Sequence, residues 1–540
     1  MLVSRRNKCL VLRVRDPNAI LSVIPSAKPF SFRGKDFVAV RHGPDETKVL
    51  RNMGFPAPSP ILYHYKWPGQ FKPFEAQREA AAFTSLESRA FNLSDLGTGK
   101  TLATLWAYDY LRQCKLVRKA LVITPLSTLD RTWADEVFTH FPHLDVAVLY
   151  GSRSKRIELL NQDVDIFLIN HDGIKVPGFV EALKDRNDID LIIIDEIAQV
   201  GRNSGTDRFR ALNQICNKQV ARKVWGLTGT PTPNDPTDAW AQCRLLVPER
   251  VPPYFNRFKN TVMRQINQFL WLPRDNALDV VHDAMQPSIR FTRDECIDLP
   301  PLTYTTRSVE LTPQQKKAYK DMMNTLCIEA AEGKITAANE AVKAQKLIQV
   351  ASGAVYGSNG GGVKLDVGPR IDALMEIIEE SGSKVIVFVP FVVSVKEVAA
   401  KVLYRLNKSS FTKAALQGNQ YGSEVEVIYG DVSKNERDRI FTAFQKNTLP
   451  RVLVAQPGAM SHGLTLTAAS TIVWFAPISS NETFVQANAR ITRPGQKLNQ
   501  LIVMIEGTEI ERKYYTRLKN KQKVQGLLLD MVKESREEYA

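Results

Sequence analysis

The sequence predicts an α/β protein with two domains, each built on a parallel sheet, behind a small N-terminal accessory piece that contains strands. Three observations lead there. Short runs of Val, Ile and Leu recur in both halves of the chain, too apolar for half-exposed strands and too short for helices. Helix-forming stretches separate the runs, the pattern of a parallel sheet covered on both faces. Glycines, a lysine, threonines and paired acids gather directly after the runs, and open α/β sheets bind ligands at the carboxyl ends of their strands.

Residues 1–70 form the accessory piece, with strands expected at Cys9–Val14 and Asp36–Val40 and a break at Pro56-Ala57-Pro58-Ser59-Pro60. The first α/β domain is expected over 71–305. Ala90–Leu93 enters it as a short strand, and Thr101–Arg112 leaves as a helix with Leu102, Leu105 and Trp106 on one face. Buried strands follow at Ala120–Thr124, Ile166–Asn170, Leu191–Asp195 and Val224–Thr228. A helical linker is expected over 306–366, with helices at Thr312–Glu332 and Ala337–Val350 and a glycine-rich loop, Ser358–Gly362, suited to a hinge. The second domain, 367–507, repeats the pattern at Val385–Val389, Val425–Tyr429, Val452–Ala455, Thr471–Phe475 and Leu501–Ile505. Residues 508–540, rich in Lys, Arg and Glu, read as a C-terminal helix packed on the second domain or extending into solvent.

The 540 residues are 44% apolar and 24% charged, ordinary for a globular protein. No apolar run reaches the ~18 residues of a membrane span, and Met1–Arg6 lacks a signal-peptide core, so the expected location is intracellular. Six scattered cysteines, none in a C-x-x-C pair, read as buried thiols in a reducing compartment. The net charge of +15 favours a polyanionic partner, nucleic acid being the commonest. Clusters such as Arg153-Lys155-Arg156 each read alone as solvated patches.

Asp95-Leu96-Gly97-Thr98-Gly99-Lys100-Thr101 carries the most chemistry. Its glycines let successive N–H groups surround phosphate oxygens, Lys100 supplies a cation for the outer phosphates, and the Thr101 hydroxyl suits Mg²⁺. Ser94 stands where the strict phosphate-loop pattern has its first glycine. The helix that follows directs its positive end at the phosphates. Asp195-Glu196 end the most apolar strand, and adjacent acids can divide the work of holding a metal and activating water. Gln486, Arg490 and Arg493 have spacings of four and three that predict one helix face, from which guanidinium groups could meet a γ-phosphate. An arginine finger contributes ~10³–10⁵ in rate.

Together these stretches resemble the superfamily-two helicases, and within them the Swi/Snf-type DNA translocases, over roughly four-fifths of the chain from Phe71 to Gln496. The segments, in order, are Lys72–Gln77, the phosphate loop, Val122–Val137, Asp195-Glu196, Leu227–Pro248, Arg293–Pro300, Tyr429–Phe444, Gly463–Ala469 and Gln486–Gln496. The resemblance implies two tandem RecA-like domains that close on ATP and Mg²⁺. By it, Gln77 reads adenine, Gly463 and Gln486 belong to the nucleotide site, and Asp195 places the metal while Glu196 activates water. Arg490 and Arg493 complete the site from the second lobe, and Thr228-Gly229-Thr230 couple ATP state to lobe movement. Pro125, Ser127, Asn170, His171, Arg437 and Thr465 fall where DNA contacts are expected. Three departures stand out: Ala198 replaces the His of D-E-x-H, Ile478–Asn481 replaces a Trp-Trp-Asn-Pro, and Thr465 stands for Asn or Asp. No reader, nuclease or metal-binding insert is visible, so the resemblance is to compact motors of bacteria and their viruses. The implied function is ATP-driven movement of a monomer on double-stranded or branched DNA. The rivals are a strand-separating or branch-migrating helicase on forks, recombination intermediates or RNA, and a non-catalytic nucleic-acid-binding protein.

Overall fold

The computed structural model describes residues 1–201, 203–217, 223–233, 235–267, 271–296, 300–331, 337–356, 362–414, 423–460, 465–493 and 495–520. The chain divides into two compact units, Met1–Ile297 and Asp298–Ala540.

The first unit begins with a four-stranded antiparallel sheet in the order Leu2–Ser4, Cys9–Leu12, Lys35–Arg41, Lys28–Phe32. Alternation along these strands sends Leu10, Leu12, Val38 and Val40 to one face, where they pack on Ile20, Ile24, Leu50 and Ala57. The expected strands at Cys9 and Asp36 are both present, the first ending at Leu12 and the second extended to Lys35–Arg41.

Next comes a seven-stranded sheet in the order Ser288–Ile289, Arg89–Asn92, Lys223–Leu227, Ile189–Asp195, Lys119–Thr124, Ile166–Asn170, Val146–Val148, with every pairing parallel. The apolar runs are continuous because both faces are covered. Along Ile189–Asp195, Ile192 and Ile194 enter one core while Leu191 and Ile193 enter the other. Burying each such side chain contributes about 1.5–3 kcal/mol. All four expected inner strands lie in this sheet, and the helix after the phosphate loop spans Lys100–Gln113. Val146–Val148 and Ser288–Ile289, too short to register as apolar runs, are additional strands, as is the hairpin Met263–Gln265 with Trp271–Pro273.

The second unit holds a six-stranded parallel sheet in the order Leu302–Ser308, Gln500–Glu506, Ala469–Trp474, Lys384–Phe388, Val452–Ala455, Val425–Ile428. Its edge strand Leu302–Ser308 straddles the sequence position expected to separate the first domain from the linker. The strand pairs residue by residue with Gln500–Glu506, and its exposed, Thr-rich composition concealed it. Helices Pro313–Ala331 and Ala337–Ser352 follow as expected, while residues 358–361 of the glycine-rich loop lie outside the described residues. Helix Glu509–Lys519 packs on this lobe through Ile510, Tyr514, Tyr515 and Leu518. The Thr508 hydroxyl caps its first turn, acids follow, and Arg517 and Lys519 occupy the last turn, which suits the helix dipole. Inside the lobe, Arg370 donates to both oxygens of Glu511 at 2.8 and 3.0 Å, tying this helix to helix Gly368–Glu380.

No helix among the described residues is long and apolar enough to cross a membrane. The thiols are less uniformly buried than expected: Cys216 and Cys243 are buried, whereas Cys9, Cys114 and Cys296 are half-exposed.

Candidate nucleotide site

Strand Arg89–Asn92 delivers the chain to the sheet's carboxyl edge, and the phosphate loop turns it into helix Lys100–Gln113. The turn needs left-handed backbone at Gly97 (φ +90°) and Gly99 (φ +78°), a region that glycine enters without steric cost. A Cβ on Gly99 would stand 2.0 Å from Nε2 of Gln77. Gln77 is therefore packed against the loop, and its Oε1 accepts the Phe74 N–H at 3.0 Å. Lys100 folds over the loop, Nζ donating to the carbonyls of Ser94 (2.7 Å) and Asp95 (3.0 Å). The Thr98 hydroxyl donates to the Asp95 carbonyl at 2.9 Å, and Thr101 lies half-buried in the first helical turn. On the flank, the Asp95 N–H donates to the Phe291 carbonyl at 2.9 Å, and Arg290 reaches the Asp95 carboxylate at 3.4 Å.

Two strands away, Asp195 ends its strand with a buried carboxylate. Oδ2 accepts from the Thr124 hydroxyl and from Nε1 of Trp133, both at 2.9 Å, and Oδ1 accepts the Glu196 N–H at 3.1 Å. Three donors fix the carboxylate's orientation. Glu196 adopts φ +48°, a left-handed conformation that costs a non-glycine residue ~1–3 kcal/mol, and the Thr228 hydroxyl approaches its Oε2 at 3.5 Å. Thr228 also receives the Thr230 N–H on its hydroxyl at 3.2 Å. A Cβ on Gly229 would come within 3.1 Å of Leu96 Cγ and 3.2 Å of Leu96 N, so this loop lies directly on the phosphate loop. One sheet edge thus gathers Gln77, the phosphate loop, Asp195, Glu196 and Thr228–Thr230.

Thr124, Trp133 and Arg290 are contributors that the sequence reading did not assign to this site. Thr124 had a signal: it ends the strand beside Ile189–Asp195, and the parallel register pairing Ile123 with Ile194 carries it to Asp195. Trp133 lies in a widened helical turn, Leu129–Ala134, and no spacing rule connects it to a residue 62 positions on.

The second lobe corrects one expectation. Helix Asn481–Asn488 ends before Arg490, so Gln486, Arg490 and Arg493 do not share a helix face. Gln486 lies in the last turns, donating to Glu482 at 3.2 Å, while Arg490 and Arg493 follow in turns. The Arg490 carbonyl accepts the Leu466 N–H at 3.0 Å, tying the segment to the neighbouring loop, and Arg493 precedes Pro494, a position that disfavours helical backbone. Arg490 is buried and Arg493 half-buried, its Nε donating to the Ala489 carbonyl at 3.1 Å.

The residues expected near DNA occupy mixed positions. Pro125 is buried, Ser127 lies in the short turn Leu126–Thr128 with its side chain outside the described residues, and Thr465 is exposed. Asn170 and His171 are buried. Asn170 accepts from Arg156 at 3.2 Å, and His171 Nε2 donates to the Asp195 carbonyl at 2.9 Å. Arg437 spends its guanidinium on the carbonyls of Tyr429, Gly430, Val432 and Ala459. Gly463 lies outside the described residues.

Comparison with known proteins matches residues 92–352 to the SNF2-related domain and residues 369–495 to the helicase conserved C-terminal domain. Putative protein p41 of Acyrthosiphon pisum secondary endosymbiont phage 1 is 28% identical, over 81% of this chain and 94% of its own. The ISWI chromatin-remodeling complex ATPase ISW2 of Saccharomyces cerevisiae is 24% identical over 75% of this chain and 35% of its own. An uncharacterized ATP-dependent helicase of Mycoplasma pneumoniae is 24% identical over 75% of this chain and 36% of its own. The chain thus spans nearly all of the phage protein but about a third of the other two. Among solved structures, the Sulfolobus solfataricus SWI2/SNF2 ATPase core in complex with dsDNA aligns at 24% identity and TM-score 0.40, covering 84% of this chain and 92% of that one. With an SNF2-related domain followed by a helicase C-terminal domain, this chain belongs to the Swi/Snf-type ATPases of the superfamily-two helicases.

Proposed function

We propose that the chain is an ATP-driven motor that moves, as a monomer, along double-stranded DNA. The observation that carries this reading is the single sheet edge where the Lys100 loop, the triply held carboxylate of Asp195, Glu196 and the Thr228–Thr230 loop come together. In it, Lys100 and the loop N–H groups hold the phosphates, and Gln77 recognises adenine. The Thr101 hydroxyl and the Asp195 carboxylate, an oxygen-only donor pair, fit Mg²⁺, which supplies charge neutralisation at the transferring phosphoryl group. Glu196 orients the attacking water. Gln486, Arg490 and Arg493, with Gly463 nearby in sequence, complete the site when the lobes close. Thr228–Thr230, lying on Leu96, relay loop movement into closure and reopening.

DNA is taken as the track because +15 of net charge favours a polyanion and because the yeast relative is named as a chromatin-remodeling ATPase. Ser127 and Thr465 are proposed to touch the backbone, with buried Pro125 setting the turn that carries Ser127. Asn170, His171 and Arg437, whose side chains are engaged inside their lobes, shape that surface from behind. Backbone contacts read little sequence, so binding should be sequence-independent and weakened by salt.

The test is steady-state ATPase activity with duplex DNA, single-stranded DNA, forks and RNA compared side by side. Duplex is expected to stimulate most, and triplex displacement should occur without strand separation. Lys100→Ala should abolish turnover while leaving DNA binding largely intact. Hydrolysis by that variant at the original rate would show that the site is misassigned.

A further inference from the structure

The N-terminal sheet takes no part in the nucleotide site, yet it is the most basic part of the chain. Residues 1–70 hold twelve Lys and Arg against four Asp and Glu, a net of eight out of the chain's +15. One face of this sheet packs on its own small core through Leu10, Leu12, Val38 and Val40. The strand pairing determines what the opposite face carries. Lys28 is paired with Ala39, Phe30 with Phe37 and Phe32 with Lys35, and residues directly opposite one another project to the same side.

Lys28, Phe30, Phe32, Lys35 and Phe37 therefore share the outer face. Phe30 and Phe37 stack across the strands, ring centroids 5.5 Å apart and planes 22° apart, and Phe30 and Phe32 are 40% and 57% exposed. Arg33 heads the two-residue turn Arg33-Gly34, in which both φ values are positive, +48° and +70°. Its guanidinium lies 5.3 Å from the centroid of the Phe32 ring. Asp36, the one carboxylate in this hairpin, falls on the other side, where it accepts from Ser31 at 2.5 Å.

We propose that this face binds an unpaired stretch of nucleic acid, with bases stacked on Phe30 and Phe32 and the backbone held by Lys28, Arg33 and Lys35. The charge selects a polyanion, and the aromatic faces select one with accessible flat bases. Exposed rings set among cations are what single strands require and what the closed stack of a duplex cannot use. An acidic protein segment would match the charge but would leave two bare aromatic faces without a flat partner. None of these residues is among those gathered at the ATP-binding edge, and the role of this face does not depend on the direction or substrate of the motor.

The test uses the full chain. Fluorescence anisotropy would measure binding of a labelled oligo-dT, an oligo-rU and a blunt duplex of equal length. Phe30→Ala with Phe32→Ala should weaken oligo-dT binding at least tenfold, while duplex binding and duplex-stimulated ATPase stay within twofold. Phe30→Trp with Phe32→Trp should restore binding, showing that a flat ring is needed there. Photocrosslinking of iodouracil-substituted oligo-dT should map to the peptide around residues 28–37, and a competing oligo-rU reports whether the sugar is discriminated. Oligo-dT affinity unchanged in the Ala variant, or crosslinks mapping only to other peptides, would overturn the proposal. So would equal losses on duplex and single strand, the mark of a general charge or folding effect.

Discussion

Trp133→Phe tests whether the support around Asp195 governs the chemistry. Trp133 is fully buried, and its Nε1 donates to Asp195 Oδ2 at 2.9 Å, beside the Thr124 hydroxyl at the same distance. Removing a hydrogen bond to a charged acceptor costs about 1.5–3 kcal/mol. The void left by the smaller ring adds about 1 kcal/mol, so the folded lobe should lose roughly 2.5–4 kcal/mol in all. A carboxylate with one donor fewer is also free to rotate, and loss of an outer-shell partner typically costs ~10–100-fold in metal affinity or activity. The assay is ATP hydrolysis titrated with Mg²⁺ at saturating nucleotide and duplex, with Thr124→Val as a companion that removes the other side-chain donor while keeping side-chain volume. Both variants should need more Mg²⁺ for half-maximal turnover, and Trp133→Phe alone should show the larger stability loss. If both fold and keep the original Mg²⁺ dependence, the three-donor cradle has no role in placing the metal.

Two further outcomes concern stability. Arg370 and Glu511 are 2% and 0% exposed, so Arg370→Ala strands a buried carboxylate that, among the described residues, keeps the Gly507 N–H (2.8 Å) and Thr508 hydroxyl (3.0 Å) as donors. The expected loss is about 3–5 kcal/mol by urea unfolding, with Arg370→Met plus Glu511→Leu recovering most of it. A loss below about 1 kcal/mol would contradict the assigned packing of the C-terminal helix. Beside the N-terminal sheet, His64 Nε2 in helix Ile61–His64 contacts His42 Nδ1 at 2.9 Å, and burial, with His42, Lys8 and Arg5 nearby, pushes the His64 pKa down to about 4. Unfolded histidine takes its proton near pH ~6.5, so the stability held by neutral His64 is complete above that pH and is lost as pH falls towards 4. Melting curves between pH 8 and 4 should show this acid loss in the native chain and a smaller one in His64→Gln. Equal slopes would refute it.

Much of the molecule was legible in the residue order because the signals are local. Continuous apolar runs at 120–124, 166–170, 191–195 and 452–455 became central strands, since burial on both faces admits no polar alternation. The phosphate loop was equally plain, its glycines being demanded by backbone conformation and by the Gln77 side chain lying against Gly99. Edge strands were hidden: Leu302–Ser308 is mostly exposed and polar, and only its pairing with Gln500–Glu506 makes it a strand.

Spacing also misled at Arg490 and Arg493, where four and three residues imply a helix only if one persists. Here the helix stops at Asn488 and the chain is held by Leu466 instead. The sequence by itself determined which residues could meet phosphate and metal, because that depends on side-chain chemistry and short-range backbone freedom. Tertiary structure alone decided what holds Asp195 in place, because Thr124 and Trp133 reach it through sheet register and core packing across 71 and 62 residues of chain.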